Sequence, residues 1–328
     1  MGCSNSSINI KTLYENKSFS EYKNVKTIER LEPELSEDYG VLFFMELNYN
    51  KFLIATQNYK VAIYDKINYT PVTIIDLKDY CANYILKMKK GNFLFGCDSG
   101  KLFLYSINER DNSYKEINSF DLSNNITKLI EWNDQIIISD YKKINFIDNT
   151  FSNNQINIKK TFKNHLPQID IFNIFIIENL LLSFAYDQVD FKENEFIIQN
   201  IDNDSIVFKR SKASVMPWNQ TVYQFNSNIL AITGNKFLIS LFDIKTFQIL
   251  AEISDLDFLY SVICLRNKIF CGSNGGEIYE FEYNPEKNEL TLKNKFKIHE
   301  SSIFSISKTS CGEIVTVSRD GTIKFFKT

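Results

Sequence analysis

Two histidines, six cysteines and an N-terminal glycine are the residues of this chain with the most chemistry in them. The chain begins Met1-Gly2-Cys3-Ser4-Asn5-Ser6-Ser7. Gly2 with Ser6 fits the pattern Met-Gly-x-x-x-Ser/Thr, which directs a myristoyl amide onto the glycine nitrogen. One such chain binds a bilayer only marginally, with an association constant of roughly 10⁴ M⁻¹, so stable anchoring takes a second signal. A local basic patch is a poor candidate, because Lys11, Lys17 and Lys23 are interleaved with Glu15 and Glu21. The Cys3 thiol is the expected second anchor, as a palmitoyl thioester. The other cysteines, at 81, 97, 264, 271 and 311, form no Cys-x-x-Cys pair. With only His165 and His299 beside them, no zinc site is expected. Cys97, Cys271 and Cys311 lie in or beside apolar runs and read as small buried hydrophobes in a reducing compartment. The sequence has no Gly-x-Ser-x-Gly elbow, no phosphate loop and no His-Glu-x-x-His. Its carboxylates are scattered, and no catalytic residue, cofactor or metal is expected.

What must position these residues is a long series of short strands. The last thirty residues show the unit most clearly: His299, then Ile303-Phe304-Ser305-Ile306, then Glu313 to Val317, then Ser318-Arg319-Asp320-Gly321-Thr322 and Ile323 to Phe326. Asp-Gly between β-rich runs is a strong hairpin signal, because the turn needs positive φ and glycine supplies it at little cost. Triplets of this kind recur along the chain with turns near 58, 99, 141, 187, 235, 275 and 320, a period of about 40–48 residues. Six further strands, such as Pro71 to Leu77 and Leu290 to Lys297, follow the first six triplets. The seventh triplet ends the sequence without one, and Val25 to Leu31 is a spare strand at the other end. The economical expectation is that it pairs with the last triplet and closes a ring, which removes open sheet edges. Runs such as Phe52-Leu53-Ile54-Ala55, apolar without alternation, imply sheets covered on both faces.

His, three strands and Ser-x-Asp-Gly-Thr-Ile-Lys closing on an aromatic resembles one repeat of the WD-repeat β-propeller family. In that family the His, a Ser or Thr, the turn Asp and a Trp brace the blade through hydrogen bonds. The matching positions are His299, Ser318, Asp320 and Phe326, with Phe where the family has Trp, so the indole N–H is missing. His165 before Leu166-Pro167 reads as a weaker copy of His299, and the fourth repeat as the most divergent. The start Met-Gly-Cys resembles that of Src-type kinases and G-protein α subunits, which are doubly acylated. The resemblance implies an all-β, seven-bladed propeller over residues 24–328, on a flexible lipidated tether of residues 1–23.

Composition sets the function classes. A net charge of −3 gives no reason to expect nucleic-acid binding. No apolar run approaches the ~20 residues of a membrane span, and the N-terminus lacks the apolar core of a secretory signal. WD-repeat propellers ordinarily hold other proteins, so the resemblance implies a non-catalytic scaffold with protein partners and no small-molecule substrate. Acylation would place it at the cytoplasmic face of a membrane. The family's usual contact loops run from outer to inner strands, where Tyr39, Tyr80, Trp132, Trp218 and Tyr260 are the candidate anchors, since Trp and Tyr bury a large area at low entropic cost. Two alternatives of other classes are a propeller enzyme and a phosphoinositide-binding propeller. For the latter the nearest match to Phe-Arg-Arg-Gly is Phe208-Lys209-Arg210-Ser211, which with Lys212 reads rather as a solvated basic loop.

Overall fold

A computed structural model describes residues 19, 23–28, 40–149, 151, 156–187, 194–211, 222–234, 238–265 and 267–327. The strands in chain order are β1 (Lys23–Ile28), β2 (Val41–Asn48), β3 (Lys51–Thr56), β4 (Lys60–Asp65), β5 (Thr70–Asp76), β6 (Ala82–Lys87), β7 (Asn92–Cys97), β8 (Lys101–Ile107) and β9 (Tyr114–Asp121). There follow β10 (Ile126–Trp132), β11 (Gln135–Asp140), β12 (Ile144–Asp148), β13 (Ile158–Phe162), β14 (Asp170–Ile177), β15 (Leu180–Tyr186), β16 (Asn194–Asn200), β17 (Ile206–Ser211), β18 (Val222–Gln224) and β19 (Ile229–Gly234). The last are β20 (Leu238–Asp243), β21 (Gln248–Ile253), β22 (Leu259–Leu265), β23 (Lys268–Ser273), β24 (Glu277–Asn284), β25 (Glu289–Lys297), β26 (Ile303–Lys308), β27 (Ile314–Ser318) and β28 (Ile323–Lys327).

They form seven antiparallel four-stranded sheets. Six are sequential meanders from β2–β5 to β22–β25, and the seventh has the order β1-β28-β27-β26. The first strands of neighbouring sheets touch along most of the circuit: β26 to β2, β2 to β6, β6 to β10, β10 to β14, and β18 to β22 to β26. The molecule is therefore a seven-bladed β-propeller, with the first strand of each blade inside and the fourth outside. The spare N-terminal strand closes it, with Lys23 opposite Lys327 and Ile28 opposite Ile323.

The apolar residues explain why the ring forms. Buried apolar clusters lie at all seven blade junctions. Leu53 and Ala55 of β3 pack against blade 2, while Phe52 and Ile54 of the same strand pack against blade 7. Successive side chains alternate between the two neighbours, so a continuous apolar run is buried on both faces. Blade packing is close at the turns. A Cβ on Gly276 (φ +76°) would come within 2.2 Å of the His299 carbonyl oxygen of the next loop, and one on Gly100 (φ +80°), the equivalent turn of blade 2, within 2.7 Å of Asn124 backbone. Glycine is required there for both its conformation and its lack of bulk.

Candidate functional site

Naming the strands of each blade a to d from inside outward, the ring has two rims. One carries the d–a loops and b–c turns, the other the a–b and c–d turns. The d–a rim is organised by braces in which a turn residue captures the backbone of the loop entering its blade. Asp320 Oδ2 accepts the Glu300 N–H at 2.9 Å, and Oδ1 accepts the Thr322 N–H at 2.9 Å. His299, 1% exposed, lies beside it. Its Nδ1 is 2.8 Å from Thr322 Oγ1 and 3.3 Å from Asp320 Oδ2, and its Nε2 is 2.7 Å from Thr316 Oγ1. A neutral imidazole with the proton on Nδ1 satisfies every partner, with Thr316 donating to Nε2.

The hydroxyl that meets the imidazole is thus Thr316, on the b strand, rather than Ser318. Ser318 Oγ donates to the Ser301 carbonyl at 3.2 Å and accepts the Asp320 N–H at 3.1 Å, so it shapes the turn instead. The reason is alternation: Thr316 and Ser318 share a sheet face, but Ser318 lies at the strand's end, level with the loop backbone. Phe326 takes no part in the polar set. It is buried in the blade 6–7 cluster.

Blade 4 holds a second brace that the sequence shows poorly. His165 Nε2 is 2.8 Å from Ser183 Oγ, its Nδ1 is 3.2 Å from Glu195 Oε2, and the same oxygen accepts the Leu166 N–H at 3.1 Å. Lys209 Nζ adds an ion pair to Glu195 Oε1 at 2.8 Å. The acceptor is a glutamate at the start of β16 instead of an aspartate in a turn, and its longer side chain spans the extra distance. The sequence signal was the spacing of the hydroxyl: Ser183 follows His165 by 18 positions and Thr316 follows His299 by 17. Simpler versions recur elsewhere. Gln57 Oε1 accepts the Gly40 N–H at 3.0 Å in blade 1, and Asp98 Oδ1 the Cys81 N–H at 3.2 Å in blade 2.

Both braces respond to pH. Burial pushes the His165 and His299 pKa values down, more than their carboxylate partners raise them. Burial works upward on Glu195, but hydrogen bonds from His165, Lys209 and the Leu166 N–H outweigh it and hold the carboxyl at about 2. Asp320 is held well below the carboxylate range in the same way, by His299 and Thr322 against burial. Both shifts have the same sign: in each case the unfolded chain binds the proton first. Stability is then full above ~6.5, falls as the unfolded imidazoles protonate below that value, and falls again below ~4 as the unfolded carboxylates do. The melting temperature is expected to drop between pH 7.5 and 5.5, and a His165→Gln, His299→Gln chain to show a flatter profile there. An equal slope in both chains would rule out neutral buried imidazoles.

No protein-family model matches the sequence, and no curated protein matches it. Solved structures do. The WD40 propeller domain of Doa1 superposes with a TM-score of 0.70 at 16% identity, over 94% of this chain and 98% of that one. The RRP9 WD40 repeats give 0.71 at 9%, over 94% and 100%. A chain of the mitotic checkpoint complex gives 0.71 at 13%, over 93% and 92%. The fold is that of a WD40 propeller. The likeness extends around the whole ring, whereas the repeat motif is strong only in blade 7.

The expected anchors of this propeller separate. Tyr260 lies on the d–a rim, half-buried, with Phe258 at 4.5 Å and Phe304 edge-on at 5.3 Å between ring centroids. Tyr260 and Phe304 are equivalent residues, each the extra residue of a β-bulge at the second position of an a strand. Bulges at that position recur in blades 1, 2 and 3, and one residue later, at Phe172, in blade 4; a bulge re-aims the side chain it carries. Exposed Arg319 follows in the blade 7 turn, and its charge is felt by the Tyr260 phenol. Tyr80, on the same rim, packs edge-on against Phe103 at 5.5 Å. Trp132 is on the opposite rim, because it ends strand a of blade 3. Its indole N–H donates to the Glu178 carbonyl of blade 4 at 2.8 Å, so it ties two blades together. Tyr39, Trp218, Gly2 and Cys3 lie outside the described residues.

Two further expectations change. Phe208 to Ser211 is not a solvated loop: it lies in β17, where Phe208 packs on Phe242 and Phe247, and Lys209 is committed to Glu195. Cys311 is exposed, in the turn between β26 and β27.

The stretch read as a tether contains a docked residue. Phe19 is 3% exposed between blades 6 and 7, with ring centroids 5.0 Å from Phe326, 5.6 Å from Phe296 and 5.9 Å from Phe270. Its N–H donates to Glu280 Oε2 at 3.2 Å. Glu280, itself 1% exposed, also accepts from Asn294 at 3.0 Å and Lys268 at 3.1 Å. A buried carboxylate is tolerable there because both oxygens are hydrogen-bonded and a cation is paired with it.

Proposed function

We propose that this propeller is a non-catalytic protein-interaction scaffold, held at the cytoplasmic face of a membrane by its acylated N-terminus. The observation that carries the scaffold reading is the aromatic group Phe258, Tyr260 and Phe304 beside exposed Arg319, on the rim of a rigid ring. Large half-buried aromatics next to an arginine are the composition of binding hot spots, and a pre-organised rim spends little entropy on association. The similar chain in the mitotic checkpoint complex works within an assembly, which favours the same use here. Anchoring raises the effective concentration of the rim for membrane-bound partners without any new contact.

Proximity labelling of the intact chain and of a Tyr260→Ala, Arg319→Ala chain tests the rim. A set of neighbours lost in the variant, at unchanged melting temperature, is the expected result; identical sets would refute this rim as the contact surface. Gly2→Ala tests the anchor. The wild-type chain is expected in the membrane fraction and the variant in the soluble fraction, and identical partitioning of the two would end the membrane half of the proposal.

A further inference from the structure

The a–b rim carries a feature that neither the scaffold nor the braces use. Among the described residues, the two most exposed large apolar side chains are Ile67, at 71%, and Tyr49, at 70%. Both stand at turn tips of blade 1, Tyr49 in the a–b turn and Ile67 in the c–d turn. These turns are built rather than loose. The Lys66 N–H donates to the Asn50 carbonyl at 2.7 Å, which joins one turn to the other, and Asp65 Oδ1 accepts the N–H groups of Ile67 at 2.8 Å and Asn68 at 2.9 Å.

Neighbouring turns are locked onto this pair. On the blade 7 side, Ser310 donates to Glu46 through its N–H at 2.6 Å, and Lys66 pairs with Glu313 at 2.5 Å. On the blade 2 side, Glu109 accepts from Asn48 at 3.0 Å and Lys87 at 2.5 Å. The acidic groups nearest blade 1 are thus consumed in ties between blades. Among the described residues, the exposed charges in and beside these turns are Lys89, Lys90 and Arg110 of blade 2 and Lys308, Lys327 and Lys23 of blade 7, against Asp111, with Lys115 and Glu116 of opposite sign next to each other at the start of β9. Across the ring the balance is acidic: Asp134, Glu178 and Asp202 are exposed on blades 3 and 4, with Asp204 paired to Lys160 and exposed Lys159 paired to Asp148. A chain of net charge −3 therefore concentrates cations around two protruding apolar tips.

We infer that the a–b rim of blades 7, 1 and 2 is a docking surface for anionic membrane lipid. Cations beside an anionic leaflet are drawn to its headgroups, and Tyr49 and Ile67 enter the interfacial layer between them. The inference rests on the membrane half of the proposed function and supplies what one myristoyl chain lacks, a second attraction to the bilayer. The acidic sector of blades 3 and 4 tilts away from the lipid, and the d–a rim with Tyr260 faces the cytoplasm.

The test uses the full chain produced without acylation, sedimented with vesicles of phosphatidylcholine alone or with phosphatidylserine added. Sedimentation is expected with phosphatidylserine only, and it weakens as salt is raised. Lys89→Glu with Lys90→Glu should weaken it at least ~25-fold, from roughly fivefold per cation near such a surface. Tyr49→Ser with Ile67→Ser should weaken it as well, and Lys78→Glu with Lys163→Glu, exposed on the other rim, should not. Equal sedimentation with both vesicles, none with either, or equal loss in the other-rim variant overturns the docking surface. None of those results bears on acylation, which the Gly2→Ala partitioning decides separately.

Discussion

A chain lacking residues 1–28 is expected to be insoluble, or to lose its single cooperative melting transition. The deletion removes β1, and with it the fourth strand of blade 7. The edge of β28 is then an open row of N–H and C=O groups flanked by Phe325 and Phe326, a template for pairing with other chains. It also removes Phe19 from the blade 6–7 cluster and Ile28 from the blade 7–1 cluster, so both flanks of the closing blade lose apolar cover at once. β1 itself contributes little burial: four of its six residues are exposed. Its value lies in ladder hydrogen bonds and in its two flanking pegs. A soluble truncated chain that melts in one cooperative transition would overturn closure by this strand.

Phe19→Ala is expected to destabilise the full chain by about 3 kcal/mol, the lower end of the range for removing a buried phenylalanine. Loss of the ring leaves Phe270, Phe296 and Phe326 around a cavity, and a loosened backbone frees Glu280 from one of its donors. Native domains are stable by only ~5–15 kcal/mol, so the denaturation midpoint should move visibly. Phe19→Leu, which refills most of the volume, should recover over half of the loss. A midpoint unchanged in the alanine variant would show that Phe19 does not hold the N-terminal segment to the ring.

The strands, their number and their closure were readable because each depends on local pattern. Triplets with turns at Asn58, Gly100 and Gly275 fall where the hairpins fall, and the spare strand is found by counting. In the divergent fourth repeat the strands and the histidine were readable but the rest of the brace was not, since Glu195 replaces the turn aspartate and lies 30 residues from His165. Trp132 was placed on the wrong rim because aromatic type says nothing of direction; its position at the last residue of an a strand does. Ser318 was chosen over Thr316 because both are hydroxyls on one strand, and only depth beneath the loop separates them.

By itself, then, the sequence determined the seven short sheets and the exchange of an N-terminal strand, because period and turn chemistry are properties of neighbouring residues. Only the tertiary structure decided which hydroxyl meets each histidine, that Phe19 is a peg and not part of a tether, and that cations from residues 23 to 327 share one sector of a rim. Those are distances between residues far apart in the chain, and the ring's packing, not local preference, sets them.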